Sequence, residues 1–177
     1  ASDVYKRQEF ASSLDLDDTL NTALKVIIDR INAQAANIFL INEKINKFEC
    51  IASLNQDYLD EYQLDLKDGV MGKAIDQKKC IRVGDVRKDV REIAEFYFDL
   101  DNKTNFTTFS VLCSPLIAAN DCIGVIHCLN KKTNNKLFQE EDRQLLETLS
   151  APAAFAIRNA KMAKEMIEKN KIQKEVE

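Results

Sequence analysis

The stretch DNKTNFTTFSVLCSPLIAANDCIGVIHCLNKKTNNKLFQEED, residues 101–142, decides the fold of this chain. It contains two apolar runs, residues 108–116 and 122–130, that are bounded by polar turn residues, and this pattern is typical of two successive strands. Acidic residues follow Phe138, and carboxylates there favour the start of a helix because they stabilise the positive end of its dipole. The stretch therefore predicts a pair of strands that is preceded by a polar loop and followed by a helix.

The segment before residue 60 predicts a helix followed by a β-hairpin. Leu20, Leu24 and Ile27 recur at helical spacing, so we expect an amphipathic helix from about residue 17 to residue 32. Residues 36–41 and 47–54 are strand-like runs joined by a polar turn. The first run is apolar on both faces, which favours a place near the centre of the sheet. In the second run the side chains alternate regularly, so we expect one buried face.

The middle of the chain predicts a short helix, a third strand and a charged lid. Residues 68–77 carry a helical pattern and lead into a strand at residues 80–83. In the charged segment 85–105, Asp89 and Glu92 have the spacing of a capping box, which places a helix start near Val90. One long helix should run from about residue 139 to the end. This order predicts an α+β fold in which helices pack on an antiparallel sheet of five to six strands.

Composition excludes several classes of protein. The chain has 177 residues, of which 45% are hydrophobic and 31% charged, and this suits one well-buried domain. Its formal charge of -4 comes from 25 basic and 29 acidic residues without a basic stripe, so we expect no binding to nucleic-acid polymers. No apolar run approaches the roughly 20 residues that span a bilayer. We expect a cytoplasmic protein without a membrane partner.

The five cysteines and the single histidine argue against metal or redox chemistry. Cysteines occur at positions 50, 80, 113, 122 and 128, an odd number without a CxxC pair, which matches neither a disulfide framework nor a zinc site. His127 lies in a strand pattern, where a hydrogen-bonded wall residue is the alternative to a ligand contact. We therefore expect no metal, no cofactor and no catalytic activity.

One set of residues resembles a known family signature. Asn130 and Lys131, followed by Phe138 and Asp142, resemble the signature of the GAF domain, a small-molecule sensing module of cyclic-nucleotide phosphodiesterases, some adenylyl cyclases and many bacterial signalling proteins; Arg143 stands where that signature ends in Glu. The resemblance implies a salt bridge from Lys131 to Asp142 that joins the last strand to the C-terminal helix. It covers residues 16–158 and implies a GAF/PAS-like fold, with the N- and C-terminal helices on one face of the sheet and a ligand pocket under a helical lid on the other. Residues 1–15 would then be a helical or cloning-derived segment, and residues 159–177 a projecting helix.

A second set resembles the lid and fourth strand of phosphodiesterase GAF domains. Asp101, Thr104 and Thr108 stand at the spacing of that family's pocket residues, with Asn105 in place of its Gly. The resemblance implies that these three residues bind a cyclic nucleotide, either cAMP or cGMP. Hydroxyls and a carboxylate have suitable hydrogen-bonding chemistry. The alternative is that they only cap and turn a loop.

The same resemblance adds Asn37, Met71 and His127 as candidate ligand-binding residues. Ile51 and Ala52 stand where many cyclic-nucleotide GAF domains carry a Phe and an Asp that sandwich and read the base. The identity of the ligand therefore stays open among cAMP, cGMP and other molecules.

These patterns lead to one preferred function and two alternatives. We expect a regulatory GAF domain that passes a ligand signal through its C-terminal helix to a downstream effector domain. Leu149, Ala156, Ala163 and Asn170 form a heptad-like seam, so we also expect a homodimer through the terminal helices. The alternatives are a dimerisation or scaffolding module with a vestigial pocket, and a thiol enzyme.

Overall fold

The computed structural model describes residues 15–57 and 62–176, which form six strands and four helices around one sheet. The helices are α1 (Leu16–Ile31), α2 (Gly69–Gln77), α3 (Arg91–Thr104) and α4 (Glu140–Val176). The strands are β1 (Ala33–Asn42), β2 (Lys47–Leu54), β3 (Gln63–Asp65), β4 (Ile81–Val83), β5 (Val111–Ala118) and β6 (Asp121–Lys131). We call α3 the lid helix. A 3₁₀ turn, Val86–Lys88, precedes it. The predicted N-terminal segment, residues 1–15, lies outside the described residues except for Asp15.

The sheet has the order β3-β2-β1-β6-β5-β4, and its strand pairs are antiparallel. The predicted α+β fold is confirmed. β1 lies between β2 and β6, as its two apolar faces predict. Strand β3 has three residues and was not predicted, because so short a run leaves no readable alternation.

A bulge in β2 corrects the prediction that this strand buries one continuous face. Ile38 pairs with Ala52 while its neighbour Phe39 pairs with Cys50, so Ile51 is an extra residue on β2. Side chains before and after an extra residue point to opposite faces. Cys50 accordingly packs beneath the lid helix, whereas Ala52 packs beneath the terminal helices.

The sheet separates two apolar layers. Helices α1 and α4 cover one face, where the buried residues include Leu20, Leu24 and Ile27 of α1. Helix α2 and the lid helix cover the other face through Met71, Tyr97 and Leu100. Burial of the two faces of one sheet explains why its central strands are apolar throughout.

The ends of the helices show where local signals succeed and fail. Helix α1 begins after Asp15, whose side chain accepts a hydrogen bond from Asp17 N at 3.4 Å, as expected for an N-cap. The capping box predicted at the lid helix is wrong: Asp89 accepts from the adjacent Val90 N at 2.7 Å, and the cap residue Val90 makes no side-chain cap bond. The lid helix ends at Asn105, whose φ of 51° places it in the left-handed region that asparagine tolerates.

Helix α4 runs without interruption from Glu140 to Val176, with Pro152 inside it. Its first half packs on the sheet through Leu146, Ala154 and Ile157. Beyond Ala160 no residue of this helix belongs to a core cluster of the described chain. Among residues 15–57 and 62–176, no helix is both long and apolar enough to cross a membrane.

Lys131 joins three elements at one point. Its ammonium group donates to Asp142 Oδ1 at 2.9 Å and to the carbonyl oxygen of Ile31 at 2.7 Å. Asp142 Oδ2 also accepts from Gln139 N at 2.7 Å, so the same carboxylate caps the start of α4. Both charged side chains are only 14% exposed. The end of α1, the end of β6 and the start of α4 are thus held by a single ammonium group.

We expect Lys131→Ala to lower the free energy of unfolding by roughly 2 to 4 kcal/mol, because a largely buried carboxylate and a helix-end carbonyl lose their cation. Urea unfolding monitored by circular dichroism measures the change. Lys132→Ala is the control, since Lys132 is the exposed neighbour and should change stability by less than about 0.5 kcal/mol. Equal losses in the two variants would mean that the ion pair does not stabilise the junction.

Candidate functional site

Three of the predicted site residues meet in a buried hydrogen-bonded chain between the lid helix and the sheet. Asn37 on β1, Thr104 at the end of the lid helix and His127 on β6 are each at most 1% exposed. Tyr97 and Gln56, which the sequence did not single out, complete the chain. We call these five residues the polar chain.

The polar chain begins at the lid helix and runs over β6 and β1 on the face of the sheet beneath the lid. Tyr97 Oη lies 2.7 Å from His127 Nε2, and His127 Nδ1 lies 3.1 Å from Asn37 Oδ1. Asn37 Nδ2 then donates to Gln56 Oε1 at 2.6 Å. Asn37 Oδ1 can only accept, so the imidazole proton lies on His127 Nδ1 and Nε2 accepts from the Tyr97 hydroxyl, whose pKa burial holds well above its usual value.

The chain then returns to the lid helix. Gln56 Nε2 donates to Thr104 Oγ1 at 3.4 Å, and that hydroxyl donates to the carbonyl oxygen of Leu100 at 2.8 Å. Donation thus runs in one direction, from Tyr97 through His127, Asn37, Gln56 and Thr104 to Leu100. Both ends of the chain lie on the lid helix.

The polar chain is surrounded by apolar side chains. Phe39 contacts the His127 ring edge-on with 6.5 Å between ring centroids, and the Tyr97 ring stacks on the same imidazole at 5.6 Å. Met71, another predicted site residue, is fully buried in the apolar cluster beneath the lid helix. The side chains of the polar chain and its apolar neighbours therefore fill this part of the space between the lid helix and the sheet.

Asp101 and Thr108 bind each other at the edge of the lid. Thr108 donates to the Asp101 carboxylate twice, from its backbone N to Oδ2 at 2.8 Å and from Oγ1 to Oδ1 at 2.6 Å. Burial raises the pKa of Asp101, although these two hydrogen bonds oppose the rise. The pair ties the last turn of the lid helix to the segment before β5. It faces an outward-opening cleft of about 440 Å³ that Arg87 and Phe98 also line.

Ile51 and Ala52 do not lie beside the polar chain. Ala52 belongs to the cluster beneath the terminal helices, and Ile51 packs against that cluster. The bulge at Ile51 reverses the faces of β2, so these residues occupy no base-reading position beneath the lid. The expected correspondence of this pair with a base-binding Phe and Asp is wrong.

Asn130 connects the lid edge to the end of β6. Its Oδ1 accepts from Phe109 N at 2.6 Å and from Ser110 N at 3.1 Å, while its Nδ2 donates to the carbonyl oxygen of Thr107 at 2.8 Å. The next residue is Lys131 of the α4 junction. Phe138, the fourth residue of the predicted motif, is 1% exposed in the cluster beneath α4. The motif residues Asn130, Lys131, Phe138 and Asp142 thus all make contacts that hold β6, the segment before β5 and α4 together.

Sequence reasoning missed Tyr97 and Gln56 for different reasons. Tyr97 lies among the apolar residues of the lid helix, with Ile93 and Phe96, and its hydroxyl is easily overlooked there. A tyrosine that is fully buried needs a partner for its hydroxyl, and that requirement is the signal that was available. Gln56 lies on a loop after β2, and nothing in its sequence neighbourhood marks it.

Comparisons with known proteins support a sensory module. The family profile described as GAF domain matches residues 13–158. The chain is 22% identical over 167 residues to a probable 3′,5′-cyclic phosphodiesterase of Caenorhabditis elegans, covering 88% of this chain and 22% of that protein. It is 25% identical over 169 residues to a dual 3′,5′-cyclic-AMP and -GMP phosphodiesterase of Takifugu rubripes, covering 88% of this chain and 18% of that protein. The chain thus spans about a fifth of the length of these two relatives.

A solved structure shows the same fold. The GAF domain of an Acinetobacter phosphoenolpyruvate-protein phosphotransferase superposes with a TM-score of 0.69 at 22% identity, covering 88% of this chain and 89% of that one. At this identity the likeness concerns the fold alone.

The burial of His127 generates a prediction about pH. Burial lowers the pKa of this imidazole from 6.5 to about 3. Below about pH 6.5 the unfolded chain therefore binds a proton that the folded chain does not, and folding loses stability as the pH falls. Because the chain has one histidine, His127→Gln removes this contribution completely.

Between about pH 6.5 and pH 4.5 we expect the wild-type free energy of unfolding to fall more steeply than that of His127→Gln, by up to about 1.4 kcal/mol per pH unit. Urea unfolding at a series of pH values gives both slopes. Parallel curves would show that His127 is protonated equally in the folded and unfolded states.

Proposed function

Since this chain belongs to the GAF domain family, whose profile matches residues 13–158, we propose that it is a regulatory domain that binds a cyclic nucleotide between its sheet and its lid helix. The observation that carries the proposal is the polar chain. Asn37, Thr104 and His127 place amide, hydroxyl and imidazole groups together in an otherwise apolar layer, where a polar ligand can replace bonds that the chain makes with itself.

The relatives supply the class of ligand. Two of them are named as cyclic-nucleotide phosphodiesterases, and the matched region is a small part of each. We infer that the domain senses cAMP or cGMP and controls an effector elsewhere in a longer protein. Its amides and hydroxyls can bind a base or a ribose, because each can donate or accept hydrogen bonds.

A continuous series of contacts supports a route from the lid to the output helix. The Asp101–Thr108 pair fixes the lid to the segment before β5, and Asn130 holds the backbone of Phe109 and Ser110. Lys131 follows directly in the chain and binds Asp142 at the start of α4. Movement of the lid helix on ligand binding would therefore pull on the base of α4. A ligand shifts this equilibrium only through contacts that differ between the two lid positions.

We propose that the domain is not an enzyme. Burial raises the pKa of Cys80 to about 12 and also raises the pKa values of Cys113, Cys122 and Cys128. A thiol nucleophile needs a lowered pKa and an accessible setting. These four thiols therefore do not support the thiol-enzyme alternative.

Titration with cAMP and cGMP tests the proposal. We expect saturable binding of at least one nucleotide and a ligand-dependent rise in Tm, since a ligand of the folded state stabilises that state. Thr104→Val removes the hydroxyl with little change in shape and should weaken binding by about 1 to 2 kcal/mol. Isothermal titration calorimetry measures the affinity.

Thr107→Val is the matched control for Thr104→Val, because Thr107 is exposed and lies three residues away. Its affinity should equal that of the wild type. If neither nucleotide binds the wild-type domain at millimolar concentration, cyclic-nucleotide sensing is excluded and the dimerisation function takes its place.

A second candidate function, dimerisation, is favoured by an apolar groove of about 520 Å³ between α1 and α4. Ala23 and Val26 line it from α1, and Leu149 and Ala156 line it from α4. The groove residues of α4 continue at heptad spacing into Ala163 and Asn170 of the projecting helix. This continuity favours a second copy of the same chain as the occupant.

Ala156→Glu should shift the domain from dimer to monomer, because it places a charge in the proposed interface. Ala151→Glu is the control, since Ala151 is also exposed on α4 but does not line the groove. Sedimentation velocity gives the two oligomeric states. A wild-type monomer at high concentration would leave the groove without a partner copy.

A further inference from the structure

Gln56 differs from the other members of the polar chain in its position. Asn37 and His127 lie on central strands, while Tyr97 and Thr104 lie on the lid helix, and these four are almost completely buried. Gln56 lies on the loop after β2 and is partly exposed. Its backbone carbonyl accepts a hydrogen bond from Ser53 Oγ at 3.0 Å. The Gln56 side chain can therefore rotate away from Asn37 and Thr104 while this backbone contact stays in place.

The Gln56 side chain joins the sheet to the lid through one amide group. Its Oε1 accepts from Asn37 Nδ2 at 2.6 Å, and its Nε2 donates to Thr104 Oγ1. In the proposed function a ligand lies between the same two elements. The amide of Gln56 therefore makes the contacts that such a ligand would make.

We propose that Gln56 is an internal plug that takes the ligand's place whenever no ligand is bound, and that the ligand displacing it carries an adjacent acceptor and donor like those of a carboxamide. This inference rests on the proposed function and specifies the chemistry recognised at its site. The ligand acceptor pairs with Asn37 Nδ2, and the ligand donor pairs with Thr104 Oγ1.

The two contacts have unequal importance. When Gln56 leaves, Thr104 still donates to the Leu100 carbonyl, so its hydroxyl keeps a partner. Asn37 Nδ2 is fully buried and loses the acceptor it has in the plugged state. A buried donor without an acceptor is strongly unfavourable. The acceptor atom of the ligand is consequently the stricter requirement, and hydrocarbons do not meet it.

Nucleobases carry the required edge. Guanine presents the O6 acceptor beside the N1–H donor, and adenine presents the N1 acceptor beside the N6 amino donor. Both cyclic nucleotides therefore satisfy the plug contacts. The 3′,5′-cyclic phosphate of purine riboside has the same sugar and phosphate but lacks an exocyclic amino or keto group, so it lacks the adjacent pair.

Gln56→Ala tests the plug, with Gln63→Ala as the matched control. Gln63 is an exposed glutamine on β3 whose amide binds only Glu49 among the contacts described for it. In the ligand-free domain, Gln56→Ala should speed amide hydrogen exchange of the lid helix by roughly threefold or more, because one of its links to the sheet is lost. Gln63→Ala should leave that exchange unchanged.

Binding is measured by calorimetry with cAMP, cGMP and the cyclic phosphate of purine riboside. Gln56→Ala should bind the better of cAMP and cGMP roughly three- to tenfold more tightly than the wild type, since the ligand no longer competes with an internal hydrogen bond. The purine riboside analogue keeps a ring-nitrogen acceptor but lacks the donor, so it should bind Gln56→Ala roughly three- to tenfold more weakly than that nucleotide.

The outcomes separate this inference from the proposed function. Unchanged lid exchange together with unchanged affinity in Gln56→Ala overturns the plug, even where the wild type binds a nucleotide. Equal binding of the purine riboside analogue overturns the donor–acceptor edge. Faster lid exchange without binding of any of the three ligands overturns both the nucleotide function and the ligand edge, while the link between Gln56 and the lid is retained.

Discussion

The hydrogen-bonded chain that leaves the lid helix at Tyr97 and returns to it at Leu100 links the lid helix to the central strands β1 and β6, and so fixes where the lid lies on the sheet. It places an imidazole and two amides in an apolar layer, where each of them needs a partner. Gln56 and the lid residue Tyr97 satisfy this need for Asn37 and His127. In the proposed function, a ligand that moves the lid must replace the hydrogen bonds that these groups lose.

The opposite face of the sheet has a different requirement. There the contacts are apolar, and the charged contact at Lys131 fixes where α4 begins. In the proposed function, a ligand signal would pass from the lid to this junction through Thr108, which binds the Asp101 carboxylate, and through Asn130, whose side chain binds the backbone of Phe109 and Ser110.

The fold could largely be predicted from sequence, but the site could be predicted only in part. Apolar spacing gave the helix at Leu16–Ile31, and the two apolar faces of β1 gave its central place. The bulge at Ile51 was not predictable, because residues 47–54 alternate in the sequence as they would in a regular strand, and nothing in that pattern shows an extra residue. The link from Gln56 to Thr104 joins residues 48 positions apart, and no local pattern records such a contact.

Long-range ¹H–¹⁵N correlation NMR of His127, the one histidine of the chain, tests the polar chain most directly. In the ligand-free domain we expect one neutral tautomer with its proton on Nδ1, unchanged between about pH 5 and pH 8. A saturating ligand should shift those nitrogen signals as Asn37 changes partner. An imidazole that exchanges between tautomers and titrates with a pKa near 6.5 would contradict a closed hydrogen-bonded chain beneath the lid.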